Sequence, residues 1–134
     1  MSRYQLTDRI TGDMSYEYLR ILLVNDAAAD CSTICEHLRH SDFTCSVATA
    51  ESGSDAFDLL QTQSFDCILA NYYLLKSTST AIDLMDLLRD YGVEVPVIIV
   101  SDHGDEQLAV QAMKAGAADY LSRVHLSPRV LSRS

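Results

Sequence analysis

The fold is decided by the stretch PVIIVSDHGDEQLAVQAMKAGAADYLS, which spans residues 96–122. It opens with an apolar run over 96–101 whose first residue is proline, and this suits the start of a strand because proline has no N–H to donate. An amphipathic pattern over 105–115 predicts a helix, and Gly116 stands where a helix stop is expected. Residues 119–122 supply another strand, so the stretch predicts a strand–helix–strand unit.

The same alternation runs through the part of the chain that precedes this unit. Short apolar runs predict three further strands, at 20–25, 44–48 and 65–70. Nearly all-apolar strands that alternate with helices indicate a parallel sheet covered on both faces. The predicted fold class is therefore a small doubly wound α/β domain with five strands. The intervening helices are predicted by apolar residues at helical spacing: Cys31, Ile34, Cys35 and Leu38; Ala56, Leu59 and Leu60 within 51–62; and Ala81, Leu84, Met85 and Leu88.

Composition limits the classes of function. The chain has 134 residues, of which 48% are hydrophobic, and this suits one globular domain. A formal net charge of -9 argues against a nucleic-acid partner, because binding the phosphate backbone requires a basic face. The apolar runs are shorter than a membrane span, so no membrane association is predicted.

The cysteines and the chain ends complete the domain plan. The four cysteines show no Cys-x-x-Cys pair, which predicts a reducing, cytoplasmic location, and the helical spacing of Cys31 and Cys35 favours core packing over a shared metal. Residues 1–19 are polar and aperiodic, and we interpret them as an N-terminal extension to a domain over 20–134. Only residues 124–134 remain for the last covering helix, which we expect to be short or truncated, and this favours a domain cut from a longer protein.

Polar residues collect where the predicted strands end. In an open parallel sheet the carboxyl ends of the strands meet at one edge, and ligands gather there. Strand ends are ordinarily exposed to solvent, so a single polar residue there is not unusual. The presence of several such residues at one edge predicts that the functional site lies there. They are Asn25, Asp26, Asn71, Ser101, Asp102, Ser122 and Arg123.

Four segments carry a resemblance to a known family. They are ILLVND (21–26), ATAESGSDAFDLL (48–60), FDCILANYYL (65–74) and VPVIIVSDHGDEQLAVQAMKAGAADYLSR (95–123). They resemble the receiver domain of bacterial two-component response regulators. The resemblance implies a flavodoxin-like fold with strand order 2-1-3-4-5. It also implies a phosphorelay switch, in which an aspartate accepts a phosphoryl group from a histidine kinase.

The resemblance assigns a role to every residue of the predicted edge except Ser122, and two of the three positions that are acidic in the family hold amides here. Asn71 occupies the phosphoacceptor position, and Asn25 and Asp26 occupy the positions of the acidic pair that holds Mg²⁺ in the family. Ser101 and Tyr120 occupy the switch positions, and Arg123 occupies the conserved-lysine position. The pocket neighbours are Tyr72, Tyr73 and Asp102.

These departures predict a degenerate receiver, or pseudo-receiver, that is not an enzyme and has no catalytic residue. The Asn71 amide is a far poorer nucleophile than a carboxylate, so phosphorylation there is not expected. Mg²⁺ prefers carboxylate, carbonyl and water oxygens, and with Asp26 as the main surviving carboxylate its binding is predicted to be weak or absent. No other metal or cofactor is predicted. Arg123 is hypothesised to pair with Asp26 instead, and the Arg123–Val124 bond is expected to be trans, because valine replaces the family's proline.

Three functional hypotheses follow. The first is a protein-interaction or regulatory input module whose partners are the output or kinase domains of a signalling protein, with a homodimer through the fourth helix, fifth strand and fifth helix by family analogy. The second is a phosphate-responsive receiver that uses Ser101 or a hydroxyl of the Ser77–Thr80 loop as acceptor. The third is a flavodoxin-like cofactor binder, against which residues 27–30 argue because they hold neither glycine nor a hydroxyl.

Overall fold

The computed structural model of the chain describes residues 18–40, 44–72, 80–101 and 106–122. Strands and helices alternate through these residues, as the sequence predicts. The strands are β1 Tyr18–Val24, β2 Thr44–Ala50, β3 Cys67–Asn71, β4 Val97–Ser101 and β5 Asp119–Ser122, and the helices are α1 Ala28–Arg39, α2 Gly53–Thr62, α3 Ala81–Asp90 and α4 Glu106–Lys114.

The five strands form one sheet with the order β2-β1-β3-β4-β5, and every neighbouring pair is parallel. The predicted doubly wound α/β class and the strand order implied by the resemblance are both confirmed. Parallel pairing requires each connection to return to the opposite end of the sheet, and the intervening helices make that return.

The first strand begins two residues earlier than predicted. Tyr18 and Leu19 pair with Thr44 and Cys45 of β2, and Leu19 is fully buried. The predicted extension over 1–19 therefore overlaps the sheet at its last two residues. The polar and aromatic residues before Arg20 gave no local signal for the strand, because Leu19 is buried among residues that are distant in the sequence, such as Ile34 and Ile98.

Alternate residues of the strands face opposite sides of the sheet and build two apolar clusters. The larger cluster lies under α2, α3 and α4, and the smaller one lies under α1. Because both faces are covered, the central strands are apolar throughout. The larger cluster includes Leu22, Val24, Ala56, Ile68, Ala70, Leu84, Leu88, Ile99 and Ala112; the smaller comprises Leu19, Ile21, Leu23, Ile34, Leu38, Cys67, Leu69 and Ile98.

Helix α4 ends as the sequence predicts. Gly116 adopts a φ of 105°, a left-handed conformation that glycine takes without a steric penalty. Its N–H donates to Met113 O at 3.1 Å, and the Ala117 N–H donates to Ala112 O at 3.0 Å, which satisfies the last carbonyls of the helix. The chain then enters β5 directly. None of the helices in the described residues has the length and apolar character needed to cross a membrane.

The central strands should dominate stability. Ile99 of β4 is fully buried in the larger cluster, between Ala70 of β3 and Tyr120 of β5. Ile99→Ala leaves a cavity there, and we expect it to lower the free energy of unfolding by about 2–5 kcal/mol in chemical denaturation. The control is Val110→Ala on α4, where the side chain is 51% exposed and a change within about 0.5 kcal/mol is expected. Equal effects of the two substitutions would contradict this assignment of the core.

Candidate functional site

The register of the sheet brings the predicted site residues to one edge. Val24 of β1 pairs with Ala70 of β3, so the next residues, Asn25 and Asn71, lie alongside each other. Towards the other side of the sheet, Ser101 of β4 pairs with Ser122 of β5. The edge is thus assembled from four strands, and each contributes the polar residue at or just beyond its carboxyl end.

Asn25 makes hydrogen bonds through its backbone N–H and through both ends of its side-chain amide. It is 2% exposed, and its backbone N–H donates to Ala50 O of β2 at 2.9 Å. Its side-chain Oδ1 accepts the Ala27 N–H at 2.9 Å, and its Nδ2 donates to Asp30 Oδ2 at 2.6 Å. Both ends of the amide are therefore engaged within the loop that joins β1 to α1.

These bonds compensate for a helix that has no cap of its own. The N-cap residue of α1 is Ala27, which offers no side-chain acceptor, and the only acid in the first turn is Asp30. Asn25 binds both, so it fixes the chain from the end of the strand to the first helical turn. Cys31 closes the same turn, because its Sγ donates to Asn25 O at 3.5 Å.

A pocket of about 310 Å³ opens between this loop and β2. It is lined by Asn25, Asp26, Ala28, Cys31, Thr49 and Glu51. Asp26 is 8% exposed, whereas Glu51 is exposed. Burial is the main cause that raises the pKa of the Cys31 thiol, and the nearby charges of Cys35, Asp30, Asp26 and Glu51 raise it further. Negative charge therefore concentrates on the β1–β2 side of the edge.

Asn71 and Tyr72 lie on the other side of β1. Asn71 is half-buried at the end of β3, and Tyr72 is buried in the larger apolar cluster. The Tyr72 N–H donates to Val100 O and its carbonyl accepts the Ala81 N–H, both at 2.8 Å. Tyr72 therefore covers the end of the sheet and does not form an exposed partner surface.

The switch positions lie on β4 and β5. Tyr120 pairs with Ile99 and is half-buried against the larger cluster, and Ser101 is 4% exposed two residues further along β4. Ser122 pairs with Ser101, and its Oγ is buried without a hydrogen-bond partner among the residues that the structure describes. Because side chains alternate along a strand, Ser101 and Tyr120 lie on the same face of the sheet as Ile99 and the larger cluster.

Comparison with known proteins identifies this arrangement. Residues 21–131 match the family model of the response regulator receiver domain. The chain belongs to this family. The match includes the whole described sheet except the first three residues of β1.

Curated relatives of this receiver include transcriptional regulators. The alginate biosynthesis transcriptional regulatory protein AlgB of Pseudomonas putida is 38% identical over 102 residues, which is 76% of this chain and 22% of that protein. The transcriptional regulatory protein ZraR of Escherichia coli is 29% identical over 108 residues, which is 81% of this chain and 24% of that protein. The chain spans less than a quarter of the length of these two relatives.

Solved structures share the fold. A putative response regulator from Chloroflexus aurantiacus superposes with a TM-score of 0.75 at 21% identity and covers 86% of this chain and 92% of its own. At this identity the likeness shows the fold alone, which is the flavodoxin-like receiver architecture that the strand order also shows.

The donor atoms of this receiver suit Mg²⁺ poorly. Of the three acidic positions that the resemblance implies, only Asp26 is a carboxylate, and the Asn25 amide is already bonded to Ala27 and Asp30. Within the described residues there is no group of three or more His, Cys, Asp or Glu side chains that is arranged to hold a metal ion. Mg²⁺ demands a near-octahedral shell of hard oxygens, and these residues do not supply its protein part.

Several predicted site residues lie outside the described residues: Tyr73, residues 77–79, Asp102, Arg123 and Val124. The hypothesised Arg123–Asp26 pair and the trans Arg123–Val124 bond therefore stay predictions. The family roles that the resemblance assigns to the other edge residues also stay predictions, although the structure places those residues at the expected edge.

Sequence reasoning missed the residues on the α1 and β2 side of the pocket. Asp30 carried one available signal, because an acid in the first turn of a predicted helix favours the helix N-terminus and comes close to the preceding strand end. Glu51 became part of the pocket through the register of β2 against β1, which the sequence does not encode locally. Cys31 was assigned to the core, and it both packs against the smaller cluster and lines the pocket.

The raised pKa of Cys31 predicts how this thiol reacts. Alkylation proceeds through the thiolate, so the pH midpoint of the rate should lie above that of the same cysteine in the guanidinium-unfolded chain. Peptide mapping by mass spectrometry after timed alkylation measures the rate at each cysteine. Cys67 is fully buried and should stay unmodified in the folded protein, which makes it an internal control. A Cys31 midpoint at or below the unfolded value would contradict the pocket environment described here.

Proposed function

We propose that this chain is a degenerate receiver domain, which does not undergo phosphotransfer at Asn71 and acts as a protein-interaction or regulatory input module in a bacterial two-component-type signalling protein. The observation that carries the proposal is the position of Asn71. It ends β3 at the carboxyl edge and lies alongside Asn25, where the resemblance implies an acceptor aspartate.

The chemistry of the side chain supports this proposal. Phosphotransfer to a receiver forms an acyl phosphate, which requires an anionic carboxylate oxygen as nucleophile. The oxygen of an amide is neutral and its nitrogen is not basic, so Asn71 offers neither. We therefore do not assign an enzymatic activity to the domain.

The neighbouring residues support metal independence as part of the same proposal. Asp26 is one carboxylate where the family has a pair, and the Asn25 amide is occupied by contacts within its own loop. Because Mg²⁺ dehydrates reluctantly, amides in place of the family's carboxylates at positions 25 and 71 are expected to weaken its binding. The proposed domain accordingly works without Mg²⁺ or any other cofactor.

Hydroxyl acceptors are weaker alternatives. Ser101 is 4% exposed, which hinders access of a phosphodonor. Thr80 is the N-cap of α3, where its Oγ1 accepts the Asp83 N–H at 3.4 Å while Asp83 Oδ2 accepts the Thr80 N–H at 2.8 Å. The rest of the Ser77–Thr80 loop lies outside the described residues.

A flavodoxin-like cofactor binder has no support from the β1–α1 loop. Phosphate binding at such a loop uses free backbone N–H groups at a helix start. Here the Ala27 N–H is bonded to Asn25 Oδ1, and Asp30 adds negative charge to the first turn. Both features oppose an anionic cofactor.

The proposed partners are other domains of a signalling protein. The names of AlgB and ZraR describe transcriptional regulators, and this chain is similar to less than a quarter of each, so an output domain is one proposed partner and a kinase domain another. A homodimer is proposed through the face of α4 and β5. Val110 and Met113 lie one turn apart on α4 and are 51% and 49% exposed, which provides apolar contact area there.

Exposure to a small-molecule phosphodonor tests the acceptor chemistry. After incubation with acetyl phosphate and Mg²⁺, intact mass spectrometry should show no phosphoryl adduct on the wild-type protein, because Asn71 cannot form an acyl phosphate. The matched control is Asn25→Asp/Asn71→Asp, which restores both carboxylates and should gain an adduct.

The type of adduct separates the hypotheses. A hydroxylamine-sensitive acyl phosphate on the wild-type protein would overturn the degenerate assignment. A hydroxylamine-resistant phosphoester mapped to Ser101 or to the Ser77–Thr80 loop would favour the phosphate-responsive alternative.

Magnesium titration tests metal independence on its own. In ¹H–¹⁵N spectra of the wild-type protein, millimolar Mg²⁺ should leave the amides of Asp26 and Asn71 unmoved, whereas Asn25→Asp/Asn71→Asp should shift both. Saturable shifts at Asp26 in the wild-type protein would contradict the proposal, whatever the phosphodonor experiment shows.

A further inference from the structure

We infer that the Asn25–Asp30 contact is a latch, which holds the β1–α1 loop in place without a cation, and that Asp30 is the positioning residue of this edge. The inference deepens the proposed function, because it rests on the statement that the edge works without metal. It assigns a role to a residue outside the positions that the resemblance implies.

The latch is a closed set of contacts between a strand end and a helix start. Asn25 joins the sheet through its N–H to Ala50, and its side chain reaches forward to Ala27 and Asp30 at 2.9 and 2.6 Å. The Cys31 N–H donates to Ala27 O at 3.0 Å, and the Cys31 thiol donates back to Asn25 O. The two residues between Asn25 and α1, Asp26 and Ala27, are thereby held at both ends.

The charges at the contact explain why an amide suits position 25. Asn25 Nδ2 is a neutral donor that faces the Asp30 carboxylate, and hydrogen bonds to a charged acceptor are stronger than those between neutral groups. An aspartate at position 25 would bring two carboxylates together, with Asp26 and Glu51 also close to the same pocket. That arrangement is stable only if the loop opens, a proton is taken up or a cation binds.

Helix α2 provides the matched comparison within the same fold. Its N-cap is Ser52, whose Oγ accepts the Asp55 N–H at 3.1 Å, so this helix caps itself. Asp55 stands three residues after its N-cap, as Asp30 does after Ala27, and it is exposed. Both acids lie in the first turn of their helix, where the helix dipole favours negative charge, and Asp30 additionally accepts a hydrogen bond from the Asn25 amide just beyond β1.

Amide hydrogen exchange measures the latch directly. In EDTA, Asp30→Ala should speed the exchange of the Ala27 N–H about tenfold, because Asn25 loses the contact that holds its acceptor in place. Asp30→Asn keeps an acceptor oxygen and should give a smaller change. The N–H of Asn25, which is bonded within the sheet, is the internal reference, and Asp55→Ala is the matched control that should leave Ala27 unchanged.

A charge swap tests the same contact through thermal stability. In EDTA, Asn25→Asp should lower Tm by roughly 5 °C, and millimolar Mg²⁺ should restore it by neutralising the crowded carboxylates. Asn25→Asp/Asp30→Asn exchanges donor and acceptor at constant net charge, so it should recover the wild-type Tm in EDTA without Mg²⁺. The wild-type Tm should be the same in both solutions.

Each result decides the inference. It is overturned if Asp30→Ala leaves Ala27 exchange unchanged, if Asp55→Ala changes it as much, or if the swap is no more stable than Asn25→Asp in EDTA. Failure of the proposed function is a separate outcome, since it would appear as a phosphoryl adduct or Mg²⁺ shifts on the wild-type protein, while the exchange and swap measurements in EDTA contain neither reagent.

Discussion

The pairing of β1 with β3 determines what the carboxyl edge of this receiver can do. Val24 lies opposite Ala70, and the residue that follows each of them is an asparagine, so the register brings Asn25 and Asn71 to the same level of the edge. A phosphotransfer edge requires anions at such positions, since both the nucleophile and the metal ligands are carboxylates. In the proposed function, the receiver backbone is kept while positions 25 and 71 hold neutral amides in place of the carboxylates that the resemblance implies.

Neutral side chains also change the energetics of the edge. A buried ion without a close counter-charge is far more expensive than a buried amide with its hydrogen bonds made. Asn25 is 2% exposed and satisfies this condition through Ala27 and Asp30, whereas the exposed Glu51 keeps its charge where water screens it. The proposed metal independence and the Asn25–Asp30 latch have this common origin, because hydrogen bonds within the chain take the place of an external cation.

The fold was predictable because its signals are local, and the pocket was less so because its contacts are not. Apolar runs and Gly116 define most strands and the end of α4 within short windows of sequence. Leu19 is buried by residues that are distant in the sequence, so its polar local context led to a predicted strand start two residues too late. Glu51 joins Asn25 through strand register, and the Asp30 contact depends on the exact path of a three-residue loop. The sequence predicts which residue types follow each strand at the edge, but it does not predict which residues they contact on the neighbouring elements.

A receiver of this kind transmits information only through differential binding. A two-state domain shifts towards the state that a ligand binds more tightly, and a phosphoryl group is one such ligand. In the proposed function Asn71 takes no phosphoryl group, so the bias has to come from a partner, and the resemblance implies that the switch residues on which it would act are Ser101 and Tyr120. These residues are buried or half-buried, so a partner reaches them through α4 itself, whose Val110 and Met113 are exposed. In this proposal the edge held by Asn25 is the fixed part of the domain, and the side formed by α4 and β5 is the part on which a partner acts.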